Sequence, residues 1–220
     1  MISLESLTQS YPLSILLAGL YSHVSIALTS VAGPSPNYNL AFQGFLKPTI
    51  IISSGTTMIE AHTELLKSNE SFLRKIHKSR KASHLAAGTM RVLDGQSPRL
   101  IYLSCSDKET ALSLQDLNDL RIFTGSRIIC SLISSQVTGA IAQTSPLDYR
   151  IGSISNTSAH FGSPLSCVEI KVVEAEQKIS DDDYQPIGQL VVSGSAVIGK
   201  HEAMTGILAK FGGDHTLQLI

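Results

Sequence analysis

Arg127-Ile128-Ile129-Cys130-Ser131-Leu132-Ile133 runs straight into Ser134-Ser135-Gln136, and the chain continues through Val137-Thr138-Gly139 to Ala140-Ile141-Ala142-Gln143. A short, nearly continuous apolar run bounded by a polar turn predicts a strand covered on both faces. Open α/β sheets place ligand chemistry outside the carboxyl ends of their strands. The Ser/Gln loop at this strand's end is therefore the first place to look for a site.

Upstream, helical and strand patterns alternate. Tyr11 to Tyr21 predicts a buried helix and Ser25 to Val31 a strand. Gly33-Pro34-Ser35-Pro36-Asn37 is a loop. Leu40 to Leu46 predicts a short helix stopped before Pro48, and Thr49 to Ile52 another covered strand. Met58, Leu65 and Phe72 repeat at seven, as do Ile59, Leu66 and Leu73, and Ile76 continues the stripe. That is one apolar helix face over about five turns, with Ser54, Thr56 or Thr57 as its cap. Leu100 to Cys105 predicts a strand and Leu112 to Leu120 a helix.

Downstream the texture changes. Val168 to Val173 and Leu190 to Val197 predict strands, separated by the acidic turn Asp181-Asp182-Asp183 and by Pro186. Gly212-Gly213-Asp214 predicts the turn before a final strand. The fold class is α/β: an α/β portion over residues 1–145, then a β-rich portion over residues 146–220.

Composition narrows the function. The 220 residues are 43% hydrophobic and 16% charged, with no Trp, which suits one sizeable globular core. A net charge of −1 supplies no field to draw the chain to nucleic acid, and none is expected as a partner. The first ten residues carry no basic segment, so no signal peptide is expected. Pro12 to Val31 is apolar but broken by Ser14, Ser22, His23, Ser25, Thr29 and Ser30, a poor match to a membrane span. Cys105, Cys130 and Cys167 are odd in number and show no zinc spacing, which fits reduced thiols and a cytoplasmic setting. No GxSxG elbow occurs, and no histidine pair has metal-ligand spacing on a helix.

Five further blocks stand in order: Asp148-Tyr149-Arg150, His160-Phe161-Gly162-Ser163-Pro164-Leu165, Val168-Glu169-Ile170-Lys171-Val172-Val173, Gly188-Gln189-Leu190-Val191-Val192-Ser193-Gly194 and Thr205-Gly206-Ile207. With the Arg127–Gly139 stretch they resemble the AMP-forming acyl-CoA synthetase and ligase superfamily. That superfamily shows a YGxTE motif, a DYR/GxxGxP segment, an xEIKxVD strand, a GELxVRGP strand and a TGD motif. The resemblance covers the second half of the chain well and the first half more loosely. It implies part of an adenylate-forming domain, a mixed sheet with flanking helices followed by a distorted barrel.

The resemblance also implies ATP with Mg²⁺, CoA as acyl acceptor, and a carboxylic or fatty acid as substrate. Leu132 stands at the motif's Tyr, Ile133 at its Gly, Ser135 at its Thr and Gln136 at its Glu. Ser135 and Gln136 are thus the candidate nucleotide-binding residues. In the family the Tyr stacks on adenine and the Glu helps hold Mg²⁺, which prefers anionic oxygen. Ile207 stands where the TGD Asp would bind the ribose hydroxyls, and an alkyl group cannot accept those bonds. The nucleotide motifs are degraded, and no catalytic or metal residue is assigned.

Ser53-Ser54-Gly55-Thr56-Thr57 spells the heart of a phosphate loop before a helix, an anion-binding setting. It continues Met58-Ile59-Glu60 with no lysine, so a helix cap is the expected role. The basic run Arg74, Lys75, Lys78, Arg80 and Lys81 suits either a solvated helix tail or contact with a phosphate-bearing partner such as CoA or an intracellular membrane surface. Two readings stay open. One is a portion of a longer acyl-CoA ligase of fatty acid metabolism, inactive as this chain and needing the rest of a longer chain. The other is a non-catalytic descendant binding an acyl chain, a lipid or a protein.

Overall fold

The computed structural model describes residues 1–28, 48–68, 83, 98–148, 160–174, 187–199 and 201–220. The Gly33–Asn37 loop, the Leu40–Leu46 helix, Phe72, Leu73 and Ile76 of the expected helix stripe, the basic Arg74–Lys81 tail, Tyr149-Arg150 and the Asp181–Asp183 turn lie outside those residues, as do Thr29 to Val31 of the expected Ser25–Val31 strand.

Eleven strands and three helices follow in order among the described residues. They are β1 (Ile2–Ser3), α1 (Ser10–Tyr21), β2 (Ala27–Leu28), β3 (Ile50–Ser54), α2 (Gly55–Ser68), β4 (Leu100–Cys105), α3 (Leu114–Thr124), β5 (Arg127–Ile133) and β6 (Ala140–Gln143). After these come β7 (Ser163–Pro164), β8 (Glu169–Glu174), β9 (Gly188–Ser193), β10 (Glu202–Phe211) and β11 (Leu217–Leu219). One sheet has seven strands in the order β2-β1-β3-β4-β5-β6-β7, and a second has four in the order β11-β10-β9-β8. Strands β2 to β5 of the first sheet pair in parallel, and β6 and β7 add antiparallel. The second sheet is antiparallel throughout.

The apolar runs form central strands because both faces of the first sheet are covered. Ile51, Ile101 and Ile128 are register partners and fully buried. They share a core with Met58 and Ala61 of α2 and with Leu117 and Leu120 of α3. The opposite row holds Ile52, Tyr102 and Ile129, with Ile52 packed against Leu16 of α1 and Tyr102 against Tyr11. Helix α1 buries Tyr11, Pro12 and Leu16. Its Leu13, Leu17, Leu20 and Tyr21 face solvent, whereas its composition predicts burial all round.

Helix α3 starts at Leu114 because the Ser113 hydroxyl accepts the Asp116 N–H at 3.1 Å. It ends where Gly125 takes a left-handed φ of 67° and donates its N–H to the Arg121 carbonyl. Between α2 and α3, buried His62 lies 3.5 Å from Asp116 and 3.6 Å from Asp119. No described helix is long and apolar enough to cross a membrane.

The main core runs through both sheets. It joins Ile101, Leu132 and Ile141 of the first to Leu190, Val192, Ala209 and Leu217 of the second. Two single bridges tie the sheets, Val137 to Val197 and His160 to Gln218. The thiols of Cys105 and Cys130 are buried, and that of Cys167 is exposed. Burial pushes the Cys130 thiol up to about 12 and the Cys105 thiol well above its usual range.

Candidate functional site

The loop after β5 is held from two sides. The Ser10 hydroxyl at the start of α1 donates to the Val137 carbonyl at 3.2 Å and accepts the Gly139 N–H at 3.2 Å. On the other side, Thr138 N–H donates to the Ala196 carbonyl at 2.7 Å, and Ile198 N–H to the Gln136 carbonyl at 2.9 Å. Val137 is fully buried between these supports, while Ser135 and Gln136 stay exposed. The two expected site residues are thus presented on a pinned loop. The strand before it turns inward: Leu132 is fully buried in the main core.

Thr205-Gly206-Ile207 forms an irregularity in β10, where the pairing with β9 shifts between Met204 and Leu208. Gly206 takes a φ of 73°, which a side chain rarely adopts. The Thr205 hydroxyl donates to the Leu190 carbonyl at 2.9 Å and accepts the Ile207 N–H at 3.3 Å. Ile207 packs against the main core.

The SGTT segment is a helix start filled by protein atoms. The Thr57 N–H reaches the Ser54 hydroxyl at 3.3 Å. A Cβ on Gly55 would lie 1.8 Å from the Thr110 carbonyl oxygen. The glycine therefore serves close approach of the 106–110 turn, and the expectation of a cap holds.

A polar cluster that sequence reasoning missed lies under α1, at the carboxyl ends of β4 and β5. The Tyr11 hydroxyl is 2.5 Å from the Ser131 hydroxyl and donates to Gln143 Oε1 at 3.1 Å. Ser104, the register partner of Ser131, donates to the Glu5 carboxylate. Burial pushes Glu5 up from 4.5 to about 7, against the opposing pull of the Ser104 bond. The only sequence signal was two serines inside otherwise apolar strands.

A groove of about 790 Å³ opens on the outward face of β8 to β10. Val173, Val191, Ile198 and Met204 form its apolar walls, and Lys171, Glu202 and Gln136 its polar ones. The Lys171 ammonium meets the Glu202 carboxylate at 3.0 Å.

No protein-family model and no curated protein matches the chain. Solved structures do. O-succinylbenzoate CoA synthetase (MenE) from Bacillus subtilis, in complex with ATP and magnesium ion, matches with a TM-score of 0.61 at 17% identity, over 99% of this chain and 40% of that one. The anthranilate CoA ligase AuaEII, in complex with anthranoyl-AMP, gives 0.64 at 17% identity, over 98% and 38%. Coronafacic acid ligase from Pectobacterium brasiliense gives 0.61 at 14% identity, over 99% and 38%. The fold is that of part of an adenylate-forming ligase. The mixed sheet and the curled antiparallel sheet are the two pieces expected, and the chain spans about two fifths of the length of these three structures.

Leu132, which the sequence resemblance sets at the adenine-stacking position, is buried in the core. Ile207, which the resemblance sets at the ribose-binding position, packs on that same core. Gln136 is exposed at the groove edge. Among the described residues no group of acidic, histidine or cysteine side chains could hold a metal ion.

Proposed function

We propose that this chain is an AMP-dependent synthetase/ligase-like domain that does not form acyl-adenylates by itself. The observation that carries this reading is the placement of Leu132 and Ile207. Leu132 is buried in the apolar core and Ile207, partly buried, packs against it, and neither can supply an aromatic face or a ribose acceptor. Gln136 offers a neutral amide where Mg²⁺ would want an anionic oxygen. The parent reaction joins a carboxylic or fatty acid to CoA through an acyl-adenylate. It belongs, on this reading, to a longer or an ancestral protein. The chain's own work is non-catalytic binding.

Thermal melts with and without Mg-ATP test the proposal. A ligand that binds the native state at a hundred times its Kd adds about 2.7 kcal/mol of stability. We expect a cooperative melt whose midpoint does not move at millimolar Mg-ATP. A clear rise in the midpoint, reversed by EDTA, would refute the reading.

A further inference from the structure

Between β1 and α1 the chain passes over the carboxyl ends of β4 and β5. The stretch Glu5 to Gln9 is fixed at both ends. Before it, the Leu4 N–H donates to the Ile52 carbonyl at 2.8 Å. After it, Tyr11 is buried and bonded to Ser131. Between these points the hold is slight. Ser6, Thr8 and Gln9 are exposed, and Ser6 and Thr8 bond each other. Leu7, partly buried, packs beside Leu16. The Glu5 backbone bonds the Ser3 hydroxyl, two residues back. Among the described residues, the hydrogen bond that ties this stretch to the central strands is that of the Glu5 carboxyl with the Ser104 hydroxyl.

The groups around Glu5 decide how that tie behaves. They are Ser104 and Cys105 of β4, Tyr11 of α1 and Ser3 of β1. None is a cation, and no ion pair reaches Glu5 among the described residues. Burial keeps Cys105 and Tyr11 protonated well above neutral pH. A buried carboxylate stays charged when a cation or several donors face it. Glu5 has one hydroxyl, and its proton is accordingly held to about pH 7. Once ionised, the side chain regains its hydration by moving outward. Ser10 carries that movement onward, because its hydroxyl holds Val137 and Gly139 of the loop after β5. It stands in the first turn of α1, and Gln9, the residue before, makes no side-chain cap bond there. An uncapped first turn opens at little cost.

We propose that Glu5 is a proton-operated latch: with its proton the Glu5–Gln9 stretch lies on the sheet and Ser10 fixes the Ser135-Gln136 loop, and without it the stretch lifts and that loop loses one of its two supports. The support from Ala196 and Ile198 stays in place. The latch is independent of whether the chain binds a nucleotide.

The test is an NMR titration of the whole 220-residue chain from about pH 4.5 to about pH 8.5. It reads the Glu5 carboxyl carbon and the Gly139 amide, which bonds the Ser10 hydroxyl. Both signals should move in one step with a shared midpoint near pH 7. Histidines titrate in the same range, so two variants separate the sources. Glu5→Gln should abolish the Gly139 step and hold that amide at its low-pH position. Ser10→Ala should keep the Glu5 step and lose that of Gly139. The proposal falls if Glu5 titrates near its ordinary value of 4.5, or if Gly139 shows no step. It falls equally if the Gly139 step survives in either variant.

Discussion

Glu5 sits where a carboxylate is poorly solvated, with Ser104 as its hydrogen-bond donor. In the folded chain its proton is held to about pH 7, and in the unfolded chain only to its ordinary value near 4.5. Between those values the native state binds more protons than the unfolded state, so stability falls as pH rises. The full effect is on the order of 3 kcal/mol. Glu5→Gln should therefore stabilise the protein at pH 8, with the gain shrinking towards pH 5. Urea unfolding at the two pH values measures it, and a gain independent of pH would show that Glu5 is not the titrating group.

At the scale of elements, Gly55 shows packing overruling propensity. Alanine favours a helix over glycine by about 1 kcal/mol. Here its Cβ would press on backbone, the Thr110 carbonyl, which cannot yield as a side chain tip can. Overpacking of this kind costs about 1–3 kcal/mol, occasionally more. Gly55→Ala should thus destabilise by about 2 kcal/mol or more in equilibrium denaturation, and a stabilised variant would contradict the contact.

The elements best read from sequence were those with one strong local signal. Leu100 to Cys105 is a strand at those bounds because a continuous apolar run fits a strand buried on both faces. The helix expected from Leu112 begins at Leu114, since Ser113 caps it. The strand expected to reach Val197 stops at Ser193, where Gly194 turns the chain with a φ of 126°. The contact of Tyr11 with Ser131 spans 120 residues and leaves no local pattern. The ten-residue length of β10 was hidden too, because Met204 and Leu208 put apolar side chains at the strand's exposed positions and so mask the alternation. The pinned loop was legible from the abrupt Ser/Gln turn, but the apolar groove depends on which strands become neighbours.

Over the whole molecule, the continuous core predicts one unfolding unit. Leu190, in the second sheet, is fully buried in the same cluster as Ile101 and Leu132 of the first. Leu190→Ala should cost about 2–5 kcal/mol. Amide exchange of β4 and β9 should then accelerate together. Acceleration of β9 alone would mean that the sheets unfold separately.

The three thiols give that opening a counter. A small alkylating reagent at neutral pH meets one accessible sulfur, Cys167, and two that are sealed and protonated. Mass spectrometry should show one adduct formed quickly and two more arriving as a pair, at the pace of global unfolding. A species with two adducts, accumulating in time, would reveal a partial opening between β4 and β5.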